Sequence, residues 1–232
     1  VNDVAPVIEE ELPGALFEFI AYHETRWPPQ EVIPLYKNGK NMILNLCIGY
    51  TRNGFYPLKS RRDGNAEVLD MYEAWSQRLK EIGFEGRRIL FDYYNRCEIA
   101  AGHGPSGQAL IWPMEVIAED TRFYLADGIR GLADWVCFDR LCWPTPFNVW
   151  AWLQLYSRPD RSVASLEDDF YRAYFGEVGE GVRDYSRALQ QAMYADTSPE
   201  NIERVARLRS GLEALLAQES DPVLRHRLEV VA

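Results

Sequence analysis

The stretch that most constrains the fold is residues 128–176, GIRGLADWVCFDRLCWPTPFNVWAWLQLYSRPDRSVASLEDDFYRAYFG. Gly131 to Val136 reads as a buried strand, because a short apolar run bounded by turn residues suits a strand covered on both faces. A polar loop crowded with aromatics follows, and then helices over Phe147 to Tyr156 and Ser165 to Phe175. Strand, loop and helix in that order form the repeat of an α/β barrel or a doubly wound sheet. In both folds ligands bind where strands end, since the loops there vary over a rigid scaffold. Asp134, Trp135 and Asp139 are therefore candidate substrate contacts, and Trp143 flanks the same loop.

The pattern recurs upstream. ALFEFIAY, Ala15 to Tyr22, is a strand run that passes into a loop, His23 to Pro29. Met42 to Ile48 is the second strand, and no convincing helix precedes it, which departs from a regular barrel. Its loop, Gly49 to Arg62, leads to a helix over Asn65 to Ile82, with Val68, Met71, Tyr72, Trp75 and Leu79 as the apolar stripe and Gly83 as the stop. Arg87 to Tyr93 is the third strand, ending in Asp92-Tyr93-Tyr94-Asn95-Arg96, and a helix follows around Met114 to Ala126. Ahead of all four, Val1 to Glu11 reads as a helix stopped at Leu12-Pro13-Gly14.

Four such units are half of an eight-stranded barrel, although 232 residues would be long enough for a whole one. After Gly176 the pattern is helical only, over Glu177 to Met193 and Ser198 to Ala217, the second capped by Ser198 with Pro199 in the first helical position. The fold expected is α/β: the C-terminal half of a (β/α)8 TIM-like barrel over residues 1–176, followed by a helical extension over 177–232. Its four strands should be parallel neighbours with their following loops on one side. A half barrel leaves a sheet edge unpaired, so the chain by itself is expected to aggregate or dimerise.

With 25 Lys plus Arg against 35 Asp plus Glu the formal net charge is −10, which argues against nucleic acid, because phosphate binding needs a basic surface. A neutral sugar suits such a chain better than a polyanion. Aromatics reach 13%, with seven Trp and 13 Tyr; most of them serve a core, and those at strand ends are free to stack on a pyranose ring. No run approaches the roughly 20 apolar residues that cross a bilayer. Four Cys do not make a disulfide framework, and neither Cys97 with His103 nor Cys137 with Cys142 has metal-binding spacing, so neither metal nor cofactor is expected. The Gly102 to Gly107 loop lacks the Lys-Ser of a phosphate loop, and no serine nucleophile elbow is present. The chain starts without Met, so a processed product or one domain of a longer polypeptide is expected.

Two stretches carry a resemblance. NVWAWLQLYSRPDRSVASLEDDFYRAYFG, and Ala21, Tyr22, Thr25, Pro28 and Pro29 after the first strand, are similar to a bacterial domain family of unknown function placed beside glycoside hydrolases of the β-hexosaminidase and α-glucuronidase type. Some members of that family look like endo-β-N-acetylglucosaminidases. The resemblance implies a hydrolase acting on glycans that contain N-acetylhexosamine, in the periplasm or outside the cell. The substrate's own acetamide would be the nucleophile in a retaining reaction. Such enzymes hold an acidic Asp-Glu pair at the end of the fourth barrel strand, which by strand count lies upstream of Val1, so the upstream half of the polypeptide would supply the acid.

On that implication Tyr93 or Tyr94 donates to the acetamido oxygen, and Asp92 holds a sugar hydroxyl. The plainer reading is a tyrosine packed under the loops and an aspartate capping a turn. Tyr22, His23, Tyr50 and Arg52 leave the ends of the first two strands, and a His beside Glu24 can assist proton transfer; a His bonded to a loop carbonyl is the plainer alternative. Tyr22, His23, Tyr50, Arg52, Asp92, Tyr93 and Trp135 all fall within about four residues of a strand's C-terminal end, so a barrel brings them together. Two other functions stay open. An α-glucuronidase-like enzyme would clamp an acidic sugar with Arg26, Arg52 or Arg96, and a non-catalytic domain would bind glycan or act as scaffold. An Asp-Glu pair just before Val1 would favour hydrolysis over binding.

Overall fold

The computed structural model describes residues 1–49, 54–62, 64–92, 113–134, 143, 145–194 and 197–231. The main elements are α1 (Val4–Glu11), β1 (Phe17–Ala21), β2 (Met42–Cys47), α2 (Asn65–Glu81), β3 (Arg87–Asp92), α3 (Met114–Ala126), β4 (Leu132–Asp134), α4 (Thr145–Ser157), α5 (Val163–Phe175), α6 (Gly179–Tyr194), α7 (Pro199–Gln218) and α8 (Pro222–Val231). The chain divides into two compact units, Val1–Tyr94 with Arg122–Trp135, and Asn95–Thr121 with Val136–Ala232.

The first unit is built on one parallel sheet in the order β1-β2-β3-β4. Sequence neighbours are therefore sheet neighbours, as the four strand-loop-helix units predicted. The register pairs Ala21 with Leu46, Cys47 with Phe91 and Asp92 with Asp134. Because all four strands run the same way, the loops after them leave from a single edge of the sheet.

Alternation along the strands makes two unlike faces. One carries Met42, Leu44, Leu46 and Leu90, all buried, and it continues through Arg88 and Asp92. Helix α2 lies over this face, with Val68, Met71, Tyr72, Trp75 and Leu79 buried on its apolar stripe. The other face carries Glu18 and Ile20 of β1, Ile43, Asn45 and Cys47 of β2, Arg87, Ile89 and Phe91 of β3, and Ala133 of β4. It is more open: Ile20 is 54% exposed, and Ile43, Ile89, Phe91 and Ala133 are half-buried.

A polar cluster fastens the helices to the covered face. Arg88 of β3 donates from Nη1 to Asp127 Oδ2 at 2.9 Å and to Ser76 Oγ at 3.2 Å, and from Nη2 to the Asp127 carbonyl. Tyr72 donates to the same Asp127 oxygen at 2.6 Å, and Ser76 at 3.3 Å. Burial, reinforced by that bond to a carboxylate, pushes the Tyr72 hydroxyl far above its ordinary range. The Tyr72 ring also meets Phe123 and Tyr124 at the end of α3, with centroids 5.3 and 6.0 Å away.

The link between β1 and β2 contains no α-helix, as its proline-rich sequence indicates, only short 3-10 turns at His23–Thr25 and Tyr36–Gly39. It is held by α2 instead: Trp75 Nε1 donates to the Arg26 carbonyl at 2.7 Å, and Arg78 Nη2 to that of Gln30 at 3.2 Å. Gly86, at the entry to β3, has no room for a side chain. A Cβ there would lie 2.4 Å from the Gly39 carbonyl oxygen and 2.6 Å from that of Met42.

The second unit has an aromatic core. Trp143 meets Phe170, Tyr171 and Phe175, and Phe147 packs on Phe170 and Tyr171, with centroids between 5.3 and 6.3 Å. Ser162 caps α5 by accepting from the Ser165 amide at 3.1 Å, and Ser198 caps α7 by accepting from Asn201 at 3.3 Å. Sequence reading drew a boundary at Gly176. In the structure α5 and α6 belong together, joined by the Glu167–Arg187 ion pair, which holds the guanidinium charged beyond its usual range. A further helix, α8, follows, for which the sequence analysis placed no element; Asp221 Oδ1 caps it, accepting from Val223 at 2.7 Å and Leu224 at 3.1 Å.

Candidate functional site

The residues expected to bind a ligand start from the C-terminal edge of the sheet, and the structure describes five of the eleven in some part. Tyr50, Arg52, Tyr93, Tyr94, Trp135 and Asp139 lie outside the described residues. Tyr22 and His23 follow β1 directly, with ring centroids 3.8 Å apart and planes tilted by 59°. His23 is exposed and has φ +49, a left-handed conformation that a non-glycine residue adopts only where the surroundings impose it.

Thr25 imposes it here. Its hydroxyl donates to the carbonyls of Tyr22 (2.9 Å) and Ile20 (3.2 Å), while its Oγ1 accepts from the Tyr22 amide at 3.1 Å. The turn after β1 is thus a fixed platform that presents Tyr22, His23 and Glu24, with the 42% exposed indole of Trp27 just beyond. Trp27 was not anticipated; its signal was an aromatic beside Pro28 in a strand-end loop.

Asp92 ends β3 with its side chain on the covered face. It is 1% exposed, and Tyr124 of α3 donates to its Oδ2 at 3.4 Å. The carboxylate expected to hold a sugar hydroxyl is thus buried, with a helix tyrosine as one of its partners. Asp134 is its register partner on β4, so two acidic residues stand side by side where their strands finish. Trp143, expected at the wall of a sugar subsite, is 7% exposed. Its ring is surrounded by Phe170, Tyr171 and Phe175, and its Nε1 donates to Ser186 Oγ at 2.6 Å. A ring so enclosed serves the core of the helical unit.

Of the three arginines considered as a clamp for an acidic sugar, Arg26 is already engaged, with Nη2 2.9 Å from Glu67 Oε1. Arg52 and Arg96 lie outside the described residues. Among the described residues no group of His, Cys, Asp and Glu is arranged to hold a metal ion, and no helix is long and apolar enough to cross a membrane.

One feature of the open sheet face went unnoticed in the sequence. Asn45 sits in the middle of β2, 4% exposed, and its Nδ2 donates to Glu18 Oε1 on β1 at 2.7 Å. Its Oδ1 is buried without a hydrogen bond. The available signal was the single polar residue in the apolar run MILNLCI.

No curated protein and no solved structure matches the chain. A family model does, over residues 1–187, which takes in the whole sheet and helices α1 to α5. The chain belongs to the family described as Domain of unknown function (DUF4838).

Proposed function

We propose that this chain is the C-terminal half of a (β/α)8-type barrel and forms part of a glycoside hydrolase acting on N-acetylhexosamine-containing glycans. The single observation that carries this reading is the strictly sequential parallel sheet β1-β2-β3-β4. A doubly wound sheet reverses its strand order at a switch point, whereas a barrel adds each strand beside the last. The contrast between the faces agrees with it. Helices cover one side, and the other presents Ile20, Ile43, Ile89, Phe91 and Ala133, apolar residues of the kind that fill a barrel interior, with Glu18, Asn45 and Arg87 among them. Chain outside these 232 residues would complete the ring and supply the acidic pair.

In this reading the loops after the four strands surround the sugar. Tyr22 and His23 stand on the platform fixed by Thr25, and Tyr50, Arg52, Tyr94, Trp135 and Asp139 line the remaining wall, with Asp134 beside Asp92 at the strand ends. Tyr93 directs its hydroxyl at the acetamido oxygen as that oxygen attacks the anomeric carbon, and Asp92 positions the strand end from the helix side. A donor aimed at developing charge acts mainly in the transition state, while stacking holds ground and transition states alike.

Steady-state kinetics of the complete protein on an N-acetylglucosamine oligosaccharide test this. Tyr93→Phe should lower kcat by 10²- to 10³-fold, on the order of 3 kcal/mol, with KM little changed. Trp135→Ala should raise KM with kcat nearly constant. Unchanged turnover in Tyr93→Phe would remove the substrate-assisted role from that residue and pass it to Tyr94.

A further inference from the structure

Alternation along β1 fixes which way its last residues face. Glu18 and Ile20 stand on the open face, and Tyr22, whose backbone is still extended at φ −149 and ψ 150, continues their row past the end of the strand. His23 would turn to the covered side if the chain ran on. Instead the backbone folds back at φ +49, and the His23 ring lies against that of Tyr22, with centroids 3.8 Å apart. Adjacent residues of a strand point to opposite faces, so the left-handed turn is what lets these two neighbouring rings meet.

Glycine takes that conformation without strain, and histidine does not. The strain is held by Thr25, whose Oγ1 accepts from the Tyr22 amide at 3.1 Å while its hydroxyl donates to the carbonyls of Tyr22 and Ile20 at 2.9 and 3.2 Å. Two backbone bonds close the turn, from the Thr25 amide to the Tyr22 carbonyl at 3.0 Å and from Arg26 to the His23 carbonyl at 3.2 Å. The far side is anchored to α2, through Trp75 on the Arg26 carbonyl and Glu67 on its guanidinium. A turn that only reversed the chain would be served by an unstrained glycine; what histidine adds is an imidazole set beside a phenol.

Side by side, the two rings offer aromatic faces to the C–H face of a pyranose, and polar edges to its hydroxyls. Exposed Glu24 adds an acceptor next to them. The charged residues of the open face, Glu18 and Arg87, share a row four positions back, about 13 Å at the rise of a strand, so they do not set the charge of a ring bound here.

We infer that Tyr22 and His23 act as one unit that holds a single uncharged sugar ring, and that Thr25 is the positioning residue that sets His23 for it. This rests on the glycan reading above and deepens it.

Two measurements on the complete protein separate the positioning from the ligand. In proton NMR, with His23→Gln to assign the signals, the Tyr22 ring should shift the His23 imidazole resonances from their ordinary positions. Thr25→Ser retains the hydroxyl and should retain the shift; Thr25→Val and Tyr22→Leu should lose it. In calorimetric titration with diacetylchitobiose, His23→Gln and Thr25→Val should each weaken binding by about tenfold, and Thr25→Ser should stay within about threefold of the wild type. The double variant Thr25→Val/His23→Gln should be no weaker than His23→Gln alone, because Thr25 acts through His23. His23→Gly relieves the backbone and removes the ring, so it should bind as weakly as His23→Gln with Tm unchanged or higher, and it carries the binding test if Thr25→Val does not fold. A shift retained in Thr25→Val, or losses that multiply in the double variant, would overturn the positioning role. Lowered Tm with wild-type affinity in His23→Gly would make the ring pair a packing contact, and the subsite falls while the glycan reading stands. If the resonances behave as expected and the wild type binds no sugar, the glycan reading itself fails and takes this occupant with it.

Discussion

Asp127 is the residue whose loss tests the packing of the sheet unit most directly. It accepts from Arg88, Tyr72 and Ser76 at 2.9, 2.6 and 3.3 Å, joining β3, α2 and the turn after α3 through one carboxylate. Asp127→Ala leaves the buried Tyr72 hydroxyl and the Arg88 guanidinium without their shared acceptor. Breaking a fully buried pair from one side costs about 3–5 kcal/mol. Arg88 keeps its bond to the Asp127 carbonyl and Asp127 is 29% exposed, so the lower end applies, about 3 kcal/mol. For a chain of this size that lowers Tm by about 6–12 °C. Tyr72→Phe removes one donor and leaves the carboxylate with its ion pair, so about 1 kcal/mol is expected. Thermal unfolding of both single variants and the double variant, followed by far-UV circular dichroism, closes the cycle. The combined loss should fall short of the sum by about 1 kcal/mol, because both changes delete the same bond. Strict additivity, or a shift below about 2 °C in Asp127→Ala, would refute the idea that this carboxylate ties helices to sheet.

Two further outcomes follow from buried side chains. Burial raises Tyr72 and Tyr171 well above the ordinary tyrosine value of 10.0, while the unfolded chain ionises there. Stability is therefore fully kept below pH 10 and falls above it, by about 1.4 kcal/mol per pH unit for each of the two. Spectrophotometric titration at alkaline pH, with Tyr72→Phe and Tyr171→Phe to assign the signals, should show these two tyrosines ionising only with unfolding; their ionisation in a native fold would contradict this. Trp143→Phe loses the Ser186 bond and part of the ring contact, about 1–3 kcal/mol, and should leave glycan affinity of the complete protein unaltered. Weakened binding at constant Tm would return Trp143 to the ligand wall.

The local signals were legible because they are written in neighbouring residues. The stripe from Val68 to Leu79 places α2, and Gly83 stops it with φ +63, a conformation that costs glycine nothing. The helix expected around Met114 to Ala126 is α3, and the four apolar runs became four parallel strands. Helix α8, absent from the expected elements, also carried a local signal, Asp221 before Pro222.

What the sequence by itself determined is the list of elements, their order and the edge of the sheet from which the loops depart, since apolar period, caps and glycines act within a few residues of one another. Only the tertiary structure decided what each polar side chain touches. Asp92 accepts from Tyr124, 32 positions away; Trp143 closes on Ser186, 43 positions away, and fills a core; Asn45 reaches Glu18 on the strand beside it, 27 positions away. The reason is that a strand alternates its side chains between two faces, and nothing local says which face the helices will cover. That choice buried Asp92 behind the sheet and left Asn45 with an empty acceptor on the open side.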